Sequence, residues 1–548
     1  MIEDILRQPA DEPGVAVSVI RGSAVVAQEC VGLANLAYGI TIGPQTRFHV
    51  VSVSKTFMAA AILLLADRGA LSLDDDVRRH IPELPTEIGQ RGTVTIRHLL
   101  SMTSGLRDVL EIERLRGEWR SSPSRVQDLL DLAYRQRAVS AAAGAQYMYA
   151  NVNALLLEQI VTRASGMSAE AFRHEVLYQP LGLSSTCARP HDGIVLGGLA
   201  EPYVPDGSGG WQRASDLLGI AADPITTSLN DLTRWLLALR RGSIGGIQVT
   251  SAMAERARLT DGRPVYYGLG LAVRRYRGVT VLCHTGSQPG YKAHIAYVPE
   301  LDFGLVILSN REDTRPAVLA TAIMEEVIGD DFPTPSPAAS AARRLRSSGF
   351  TPERQSALEG DYVDPQSGEW VSLSFEAGVV KGETLGDPFF LYPESGSVFR
   401  DGDDYRATVP VELSLEFGPD PGEARGSLNL GGQDIALFKD GRPRDEPSAL
   451  SAFTGLYESA EVNSQHLVWV EDNGLIVAYG LGLDRGRAFP MEPIGRDLFL
   501  VRPHGSGIDY RHVFRFERDP RGTVVAAVVT MERLKGVHLC RVQQANAP

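Results

Sequence analysis

The sequence predicts an α+β domain followed by two small antiparallel β-barrels. A helix that is apolar all round begins near residue 52, and strand-like stretches follow in succession late in the first 331 residues. A helix without a polar face belongs inside a domain, and strands that follow one another favour an antiparallel sheet. A stretch rich in Pro, Ala and Ser then precedes short alternating strands with Gly, Asp and Pro turns. At 548 residues the chain has room for roughly two to four domains.

The first domain is predicted to span residues 1–332. Val15-Ala-Val-Ser-Val-Ile20 and Ala24-Val-Val-Ala-Gln-Glu29 flank a short turn and therefore predict a β-hairpin. The apolar helix is predicted from Ser52 to about Arg68. The strands predicted for the sheet are Tyr267–Leu271, Val279–Cys283, Ala293–Val298 and Phe303–Leu308.

A linker is predicted at residues 333–355, and an internal repeat divides the remainder into barrels at 356–447 and 448–548. Ser356-Ala-Leu-Glu-Gly-Asp-Tyr362 recurs as Ser451-Ala-Phe-Thr-Gly-Leu-Tyr457, and each copy leads into alternating strands. Two similar antiparallel barrels account for this pattern. The alternative is that two unrelated β-stretches share a Gly-x-Tyr.

Composition narrows the class of protein. The net charge of −13 argues against a nucleic-acid-binding surface. The four cysteines are far apart and form no Cys-x-x-Cys pair, so no zinc site or disulfide framework is indicated. The chain begins with an acidic stretch and has no apolar run of membrane-spanning length. We therefore expect no signal peptide, no membrane association and a cytoplasmic location.

The candidate nucleophile is Ser52, three residues before Lys55 at the start of the apolar helix. Residues three apart share a helix face, so the hydroxyl and the amine would lie side by side. A serine hydroxyl needs a neighbouring base to become a strong nucleophile. The chain has only five lysines, and only Lys55 follows a serine at this spacing. The alternative is a helix cap at Ser52 with Lys55 as a solvated charge.

Two further stretches carry polar groups that can join this pair. In the first, Tyr149 and Asn151 stand two apart on a loop before a helix, so both can face one pocket. Tyr149 could exchange a proton, and Asn151 could donate to a substrate carbonyl. In the second, His284, Gly286 and Ser287 end a predicted strand, and Gly286 would let a substrate backbone approach the strand edge.

Taken in order, these motifs resemble those of the serine β-lactamase and penicillin-binding protein superfamily. Its three motifs, Ser-x-x-Lys, Tyr-x-Asn and Lys/His-x-Gly, match Ser52/Lys55, Tyr149/Asn151 and His284/Gly286. The stretches Arg97-His-Leu-Leu-Ser-Met-Thr-Ser-Gly-Leu106 and Pro180-Leu-Gly-Leu183 are also similar to class C-like members. The resemblance implies a β-lactamase-like fold for the first domain. Histidine in the third motif, where classical β-lactamases have lysine, points toward D-aminopeptidases, amidases, esterases and some carboxypeptidases.

A catalytic domain followed by two barrels resembles the bacterial D-aminopeptidases of this superfamily. In that family a loop from the last barrel reaches the active site, narrows the cleft and binds the substrate's free amino end with an acidic side chain. The matching stretch here is 480–490, with Asp484 as its acid and Arg485 and Arg487 after it. A basic loop would suit a carboxylate instead. Whether this gating loop takes an amine or a carboxylate stays open.

The resemblance implies acyl transfer through a covalent serine intermediate. Ser52 would attack, with Lys55 and Tyr149 as the proton-handling pair; which of the two is the base stays open. The backbone N–H groups of Ser52 and Ser287 would form the oxyanion hole, while Asn151 and His284 would orient the substrate. No metal or cofactor is needed. The expected partner is a small peptide, amide or ester, and association of two copies of the chain is left open.

The expected activity is release of N-terminal D-amino acids from peptides or amides. Alternatives within the fold are an esterase, a D,D-carboxypeptidase, a β-lactamase or a peptide-cyclising thioesterase. An alternative of another class is a sensor or binding protein that acylates without turnover.

Overall fold

The computed structural model describes most of the chain from residue 2 to residue 542. The residues outside this description are 1, 118–125, 190–193, 215–224, 334–354, 357–358, 377–378, 387, 394–397, 401–410, 417–424, 440–446, 481–487, 504–509 and 543–548.

The first domain is built on an antiparallel sheet, as predicted. Its strands are β1 Val15–Arg21, β2 Ala24–Val31, β3 Leu33–Asn35, β4 Ile40–Thr41, β5 Arg47–His49, β6 Cys187–Ala188, β7 Tyr203–Pro205, β8 Trp211–Arg213, β9 Ile225–Ser228, β10 Ser243–Ile244, β11 Ile247–Gln248, β12 Ala272–Tyr276, β13 Val279–Gln288, β14 Tyr291–Val298 and β15 Phe303–Ser309. Six of them form the central sheet in the order β12-β13-β14-β15-β1-β2. The predicted hairpin is β1–β2, which pairs from Val15↔Val31 to Arg21↔Ala24. β15 joins this hairpin to the late strands, so the first and last parts of the domain share one sheet.

Helices pack on this sheet and complete the α+β domain. They are α1 Ile2–Ile5, α2 Ser54–Asp67, α3 Val77–His80, α4 Ile96–Leu100, α5 Val109–Leu115, α6 Val126–Arg135, α7 Asn151–Ser165, α8 Ala169–Arg173, α9 Gln179–Leu181, α10 Leu229–Arg241, α11 Val249–Ala254 and α12 Pro316–Ile328. Short 3₁₀ segments occupy Val51–Val53, Thr86–Gly89, Pro299–Leu301, Gly329–Asp331 and Pro447–Phe453, and a π-helical turn spans His174–Tyr178. Within the described parts of the chain, no helix has the length and apolar character needed to cross a bilayer.

Helix α2 lies in the middle of the domain, as its sequence predicts. Its residues from Ser54 to Leu65 are all buried. Phe57 stacks on the Trp235 ring of α10 with centroids 4.2 Å apart, and the Trp235 indole N–H donates to Thr56 Oγ1 at 3.0 Å. Because α2 is held on every side, the residues at its N-terminus have a fixed position. Lys55 stands on this helix, while Ser52, which the sequence predicts as its first residue, stands in the 3₁₀ segment Val51–Val53 before it.

The expected strand Tyr267–Leu271 is wrong, since the segment is a turn and the strand begins one residue later, at β12. Glycine explains the difference. A Cβ at Gly270, which has φ +67°, would lie 2.8 Å from Lys55 O and 2.7 Å from the Ala59 Cβ. At Gly268 it would lie 2.0 Å from Met253 O. The segment packs its backbone against α2 and α11, which an extended strand with side chains could not do.

Two closed antiparallel barrels of eight strands each follow, which confirms the fold predicted for the C-terminal half. The first contains β16 Gly360–Val363, β17 Trp370–Glu376, β18 Val379–Glu383, β19 Phe389–Pro393, β20 Val398–Arg400, β21 Val411–Glu416, β22 Arg425–Leu430 and β23 Gln433–Lys439. The second contains β24 Gly455–Ser459, β25 Ser464–Glu471, β26 Gly474–Tyr479, β27 Ala488–Gly495, β28 Leu498–Val501, β29 His512–Arg518, β30 Val524–Met531 and β31 Leu534–Val542. These strands lie inside the predicted ranges 356–447 and 448–548, and most of the predicted linker lies outside the described residues.

The repeated Gly-x-Tyr occupies the same place in both barrels. Gly360 and Gly455 each begin the first strand, and Tyr362 and Tyr457 stand two residues later with fully buried side chains. Each tyrosine also sits where the first strand pairs with the last: Tyr362 opposite Lys439, and Tyr457 opposite Arg541. The repeat therefore marks the closure point of each barrel, which explains why the same residues recur there.

Candidate active site

Ser52 stands in the 3₁₀ turn that precedes α2. It is half-buried, and the turn is preceded by Val50, whose N–H donates to Ile225 O at 3.0 Å. Val51 has φ +49°, a left-handed conformation that is costly for a β-branched residue. Strain of this kind persists only where the surrounding structure imposes it, and it concentrates at functional sites. The turn thus presents Ser52 ahead of the helix instead of burying it among the helix residues.

Lys55 lies one helical turn further on and faces Ser52, as the spacing predicts. Its Nζ donates to Ser52 Oγ at 3.2 Å and to Asn151 Oδ1 at 3.3 Å. The residue is only 7% exposed. A buried amine that contacts a serine hydroxyl is inconsistent with the alternative of a solvated surface charge. The hydroxyl and the amine are in position to exchange a proton.

Asn151 is the first residue of α7, and its amide lies between Lys55 and a carboxylate that the sequence did not single out. Asp108 is fully buried, and its Oδ2 accepts both the Asn151 backbone N–H at 2.8 Å and Nδ2 at 3.0 Å. A carboxylate only accepts, so it contacts the N–H end of the amide and leaves the oxygen for the lysine N–H. The Asn151 amide is therefore oriented with its nitrogen toward Asp108 and its oxygen toward Lys55.

Tyr149 lies against the same lysine. The Lys55 Nζ is 5.1 Å from the centroid of the Tyr149 ring, and the Arg533 guanidinium carbon is 5.2 Å from that centroid. Cations at this distance interact favourably with the ring quadrupole. The Tyr149 hydroxyl is buried and has no hydrogen-bond partner among the described residues. A buried phenol that is not engaged by another described residue is compatible with a proton-transfer role.

His284 completes the cluster from β13, with its ring centroid 6.5 Å from that of Tyr149. Its Nδ1 is 3.0 Å from Thr285 O, which can only accept, so Nδ1 carries the proton. Nε2 then accepts from the hydroxyl of Tyr267 at 2.9 Å. Burial, and to a lesser degree the charge of Lys55, lower the pKa of His284 from its usual value to about 3. The third motif therefore offers a neutral imidazole, without the charge that a lysine would bring.

Gly286 brings β13 against the 3₁₀ turn Val51–Val53 that carries Ser52. A Cβ at this position would lie 2.2 Å from Val50 O and 3.1 Å from Ser52 N. The absence of a side chain here lets the chain's own backbone approach this closely, while approach of a substrate backbone at the same strand edge stays a prediction. Strand β12 pairs with β13 only as far as Cys283, and residues 284–288 pair with β14. The Gly286–Ser287 backbone therefore lies beside Ser52 at a local strand edge, where an oxyanion hole needs its donors.

Ser287 is exposed at this edge, and its hydroxyl accepts a hydrogen bond from the neighbouring strand. Lys292, the residue opposite it on β14, donates to Ser287 Oγ at 2.9 Å and forms an ion pair with Glu312 at 3.0 Å. Glu312 in turn accepts from the Gly290 N–H at 2.7 Å. These contacts fix the end of β13 and the turn that follows it.

The first domain matches a known family. The model of the beta-lactamase family matches residues 2–327, which is more than half of the chain. The chain belongs to the beta-lactamase family. The three motifs that contain Ser52, Tyr149 and His284 all fall within the matched range.

Two similar proteins match over most of this chain and most of their own length. A D-aminopeptidase of Cereibacter sphaeroides is 23% identical over 500 residues, covering 89% of this chain and 88% of that protein. A D-aminopeptidase of Brucella canis is also 23% identical, over 546 residues and 96% of each chain. Among solved structures, an octameric penicillin-binding protein homologue from Pyrococcus abyssi matches with a TM-score of 0.54 and 22% identity, covering 78% of this chain and 96% of that one. That structural match supports the beta-lactamase fold.

Two residues of this beta-lactamase-family site come from places that the sequence analysis passed over. Asp108 stands two residues after the stretch Met102-Thr-Ser-Gly-Leu106. That stretch was the signal in the sequence that could have led to Asp108. Arg533 belongs to the β30–β31 hairpin of the second barrel, and nothing in the sequence connects it with Tyr149. Its main-chain carbonyl also accepts the Asp108 N–H at 3.0 Å. The second barrel therefore contributes directly to the surroundings of the site.

Both barrels contact the loop that carries Tyr149. In the first barrel, Gly431 O accepts the Tyr147 N–H at 2.8 Å. A Cβ at its neighbour Gly432 would lie 2.9 Å from Ala145 O, so the β22–β23 turn presses against this loop. The predicted gating residues Asp484, Arg485 and Arg487 lie outside the described residues. Strand β26, which precedes them, ends beside Arg116, the residue after α5, since a Cβ at Gly480 would lie 2.9 Å from Arg116 O.

Proposed function

We propose that this protein is a serine hydrolase that cleaves an amide bond through an acyl-enzyme on Ser52 and releases N-terminal D-amino acids from peptides or amides. The observation that carries the proposal is the 3.2 Å contact between the buried Lys55 Nζ and Ser52 Oγ. A binding protein that never reacts has no need to bury an amine beside a half-buried serine hydroxyl. The family match and the D-aminopeptidase relatives support a hydrolase.

The chemistry follows from these positions. A proton moves from Ser52 Oγ to Lys55 as a neutral amine, or to Tyr149 as a phenolate, while Oγ forms a bond with the substrate carbonyl carbon. The negative charge on the carbonyl oxygen is held by the N–H groups of Ser52 and Ser287, each worth about 3–4 kcal/mol in the transition state. Collapse of this intermediate breaks the carbon–nitrogen bond, and the leaving amine takes the proton. Water then hydrolyses the acyl ester and restores Ser52.

Two observations favour an aminopeptidase or amidase over a β-lactamase. The relatives named D-aminopeptidases match across both barrels as well as the first domain. His284 is neutral at ordinary pH, so it offers no positive charge to an anionic substrate in the place where classical β-lactamases have lysine. Esterase, D,D-carboxypeptidase and β-lactamase activities remain the competing outcomes of the test.

The test uses the full chain and a panel of substrates: D-alanine p-nitroanilide, its L-enantiomer, p-nitrophenyl acetate, nitrocefin and a peptide ending in D-Ala-D-Ala. We expect the D-anilide to be hydrolysed with the highest kcat/KM. Ser52→Ala should lower that value by about 10⁴-fold or more, while Ser165→Ala, a remote serine at the end of α7, should leave it unchanged. Intact mass of the rapidly quenched reaction should show an acyl adduct that maps to Ser52.

Preference for another substrate would reassign the reaction within the family. Activity retained in Ser52→Ala, or an adduct on another residue, would refute the acyl-enzyme at Ser52. A stable adduct with no product released would instead identify a binding or sensor protein.

A further inference from the structure

We infer that Asp108 is a positioning residue of this reaction: its buried carboxylate orients the Asn151 amide and, through that amide, the Lys55 amine beside Ser52. The inference rests on the proposed function, because it assigns a role within the same acyl transfer. Asp108 lies outside the three sequence motifs and touches none of the atoms that would react.

The Asp108 carboxylate is shared between two helices. Its Oδ1 accepts the Leu110 N–H at 2.8 Å and so caps α5, while its Oδ2 accepts two N–H groups of Asn151 at the start of α7. Helix α7 has no side-chain cap of its own at Ala150. Asp108 is fully buried, so all of these bonds form away from water, where unmade ones are costly. The position of the Asn151 side chain is thereby determined by a residue from another element.

Orientation is the functional consequence. An asparagine amide can be turned by 180° with little change in shape, which exchanges its donor and acceptor ends. With Oδ2 of Asp108 accepting from Nδ2, the amide oxygen must face Lys55, where it receives the Nζ bond at 3.3 Å. Without the carboxylate the NH₂ group could face the lysine instead. Lys55 would then lose the hydrogen bond to Asn151 Oδ1 that helps to hold its Nζ near Ser52 Oγ.

The second barrel holds Asp108 in turn. The Asp108 N–H donates to Arg533 O at 3.0 Å. The guanidinium of the preceding Arg107 donates to Lys535 O at 3.2 Å and to Gly536 O at 2.8 Å, and it pairs with Glu461 at 2.8 Å. A continuous series of hydrogen bonds therefore runs from the β30–β31 hairpin through Asp108, Asn151 and Lys55 to Ser52. This gives the second barrel a role in aligning the nucleophile.

A role in stability alone is the competing explanation, because Asp108 caps α5. Asp108→Ser separates the two roles, since serine is as good a helix N-cap as aspartate but is too short to reach Asn151. Asp108→Ala removes both. Asp76→Ser is the matched control, because Asp76 caps α3 through the Arg78 N–H at 2.9 Å. Each variant is assayed well below its melting temperature, with folding checked by circular dichroism.

The readouts are kcat and KM on the best substrate and the rate at which a fluorophosphonate labels Ser52. For Asp108→Ser and Asp108→Ala we expect kcat and the labelling rate to fall about 10- to 100-fold, with KM changed by less than about twofold. Asp76→Ser should match the wild-type protein. Asn151→Ala should show a similar loss, and the double variant Asp108→Ser/Asn151→Ala should be no slower than Asn151→Ala alone, because Asp108 acts through Asn151.

Full activity in Asp108→Ser, or losses that multiply in the double variant, would overturn the inference and leave a capping role. Labelling at the wild-type rate in Asn151→Ala would also overturn the inference, whether or not the Asp108 variants fold. The hydrogen bond between Asn151 and Lys55 would then have no effect on the reactivity of Ser52. If the wild-type protein neither turns over a substrate nor is labelled at Ser52, the proposed function itself fails, and the positioning role falls with it. If the wild-type protein is active and the Asp108 variants keep the same activity, the inference is refuted and the proposed function is not.

Discussion

Gly286→Ala tests how closely β13 must pack against the turn that carries Ser52. The added methyl carbon would lie 2.2 Å from Val50 O and 3.1 Å from both Ser52 N and the Val51 Cβ. Real Cβ atoms essentially never approach another heavy atom within 3.0 Å, and the atom closest to this one is a main-chain oxygen, which no side-chain rotation can move away. Either β13 or the turn must shift by about 1 Å, a displacement that can cost catalysis about 100-fold.

The expected size of the effect follows from the same displacement. A 100-fold loss in kcat/KM corresponds to about 2.7 kcal/mol of transition-state stabilisation. Overpacking at a well-filled contact also lowers the free energy of unfolding by about 1–3 kcal/mol. The two effects are measured separately, by steady-state kinetics on the best substrate and by thermal or urea denaturation.

Gly43→Ala is the matched control, because a Cβ at Gly43 meets nothing within 4 Å and its backbone is not left-handed. It should keep wild-type kcat/KM and stability. If Gly286→Ala also stays within about twofold of wild type in kcat/KM, the strand and the turn are not locked together. The close approach would then have no bearing on an oxyanion hole at Ser52 and Ser287.

Three further predictions follow from the charges and contacts around the site and the second barrel. Acid should destabilise the protein: burial lowers the pKa of His466 to about 3, so stability is fully present above pH 6.5 and is lost as pH falls from about 6.5 toward 3, by up to about 1.4 kcal/mol per pH unit for that group. His466→Leu should therefore flatten the pH dependence of the melting temperature between pH 7 and 5, and an unchanged slope would contradict this account. Lys55→Arg should lower fluorophosphonate labelling of Ser52 by about 10³-fold, because a guanidinium cannot act as a base; labelling at the wild-type rate would exclude Lys55 as that base. Tyr267→Phe should lower the free energy of unfolding by about 1–3 kcal/mol, because it leaves the buried His284 Nε2 without its donor, and equal urea midpoints for the two proteins would refute this.

The parts of the site that sequence predicted well are those set by neighbours in the chain. Ser52 and Lys55 are three residues apart, and the 3₁₀ turn that runs directly into α2 keeps them on one face. Outside the site, the β1–β2 hairpin and the repeated Gly-x-Tyr at Tyr362 and Tyr457 were likewise visible as short patterns in the sequence. The expected strand at Tyr267–Leu271 failed because its alternation of large residues and glycine looks like a strand, while the glycines in fact allow close packing on α2 and α11.

The sequence by itself determined the α+β domain, the two barrels and the order of the three motifs, because periodicity and spacing act over one turn of helix or one strand. Only the tertiary structure decided that Asp108 orients Asn151, that Arg533 of the second barrel packs on Tyr149, and that His284 is neutral. These features arise where segments far apart in the chain exclude water from one another. Hydrogen-bond partners and charge states there depend on which groups meet in the folded protein, and no local pattern records that.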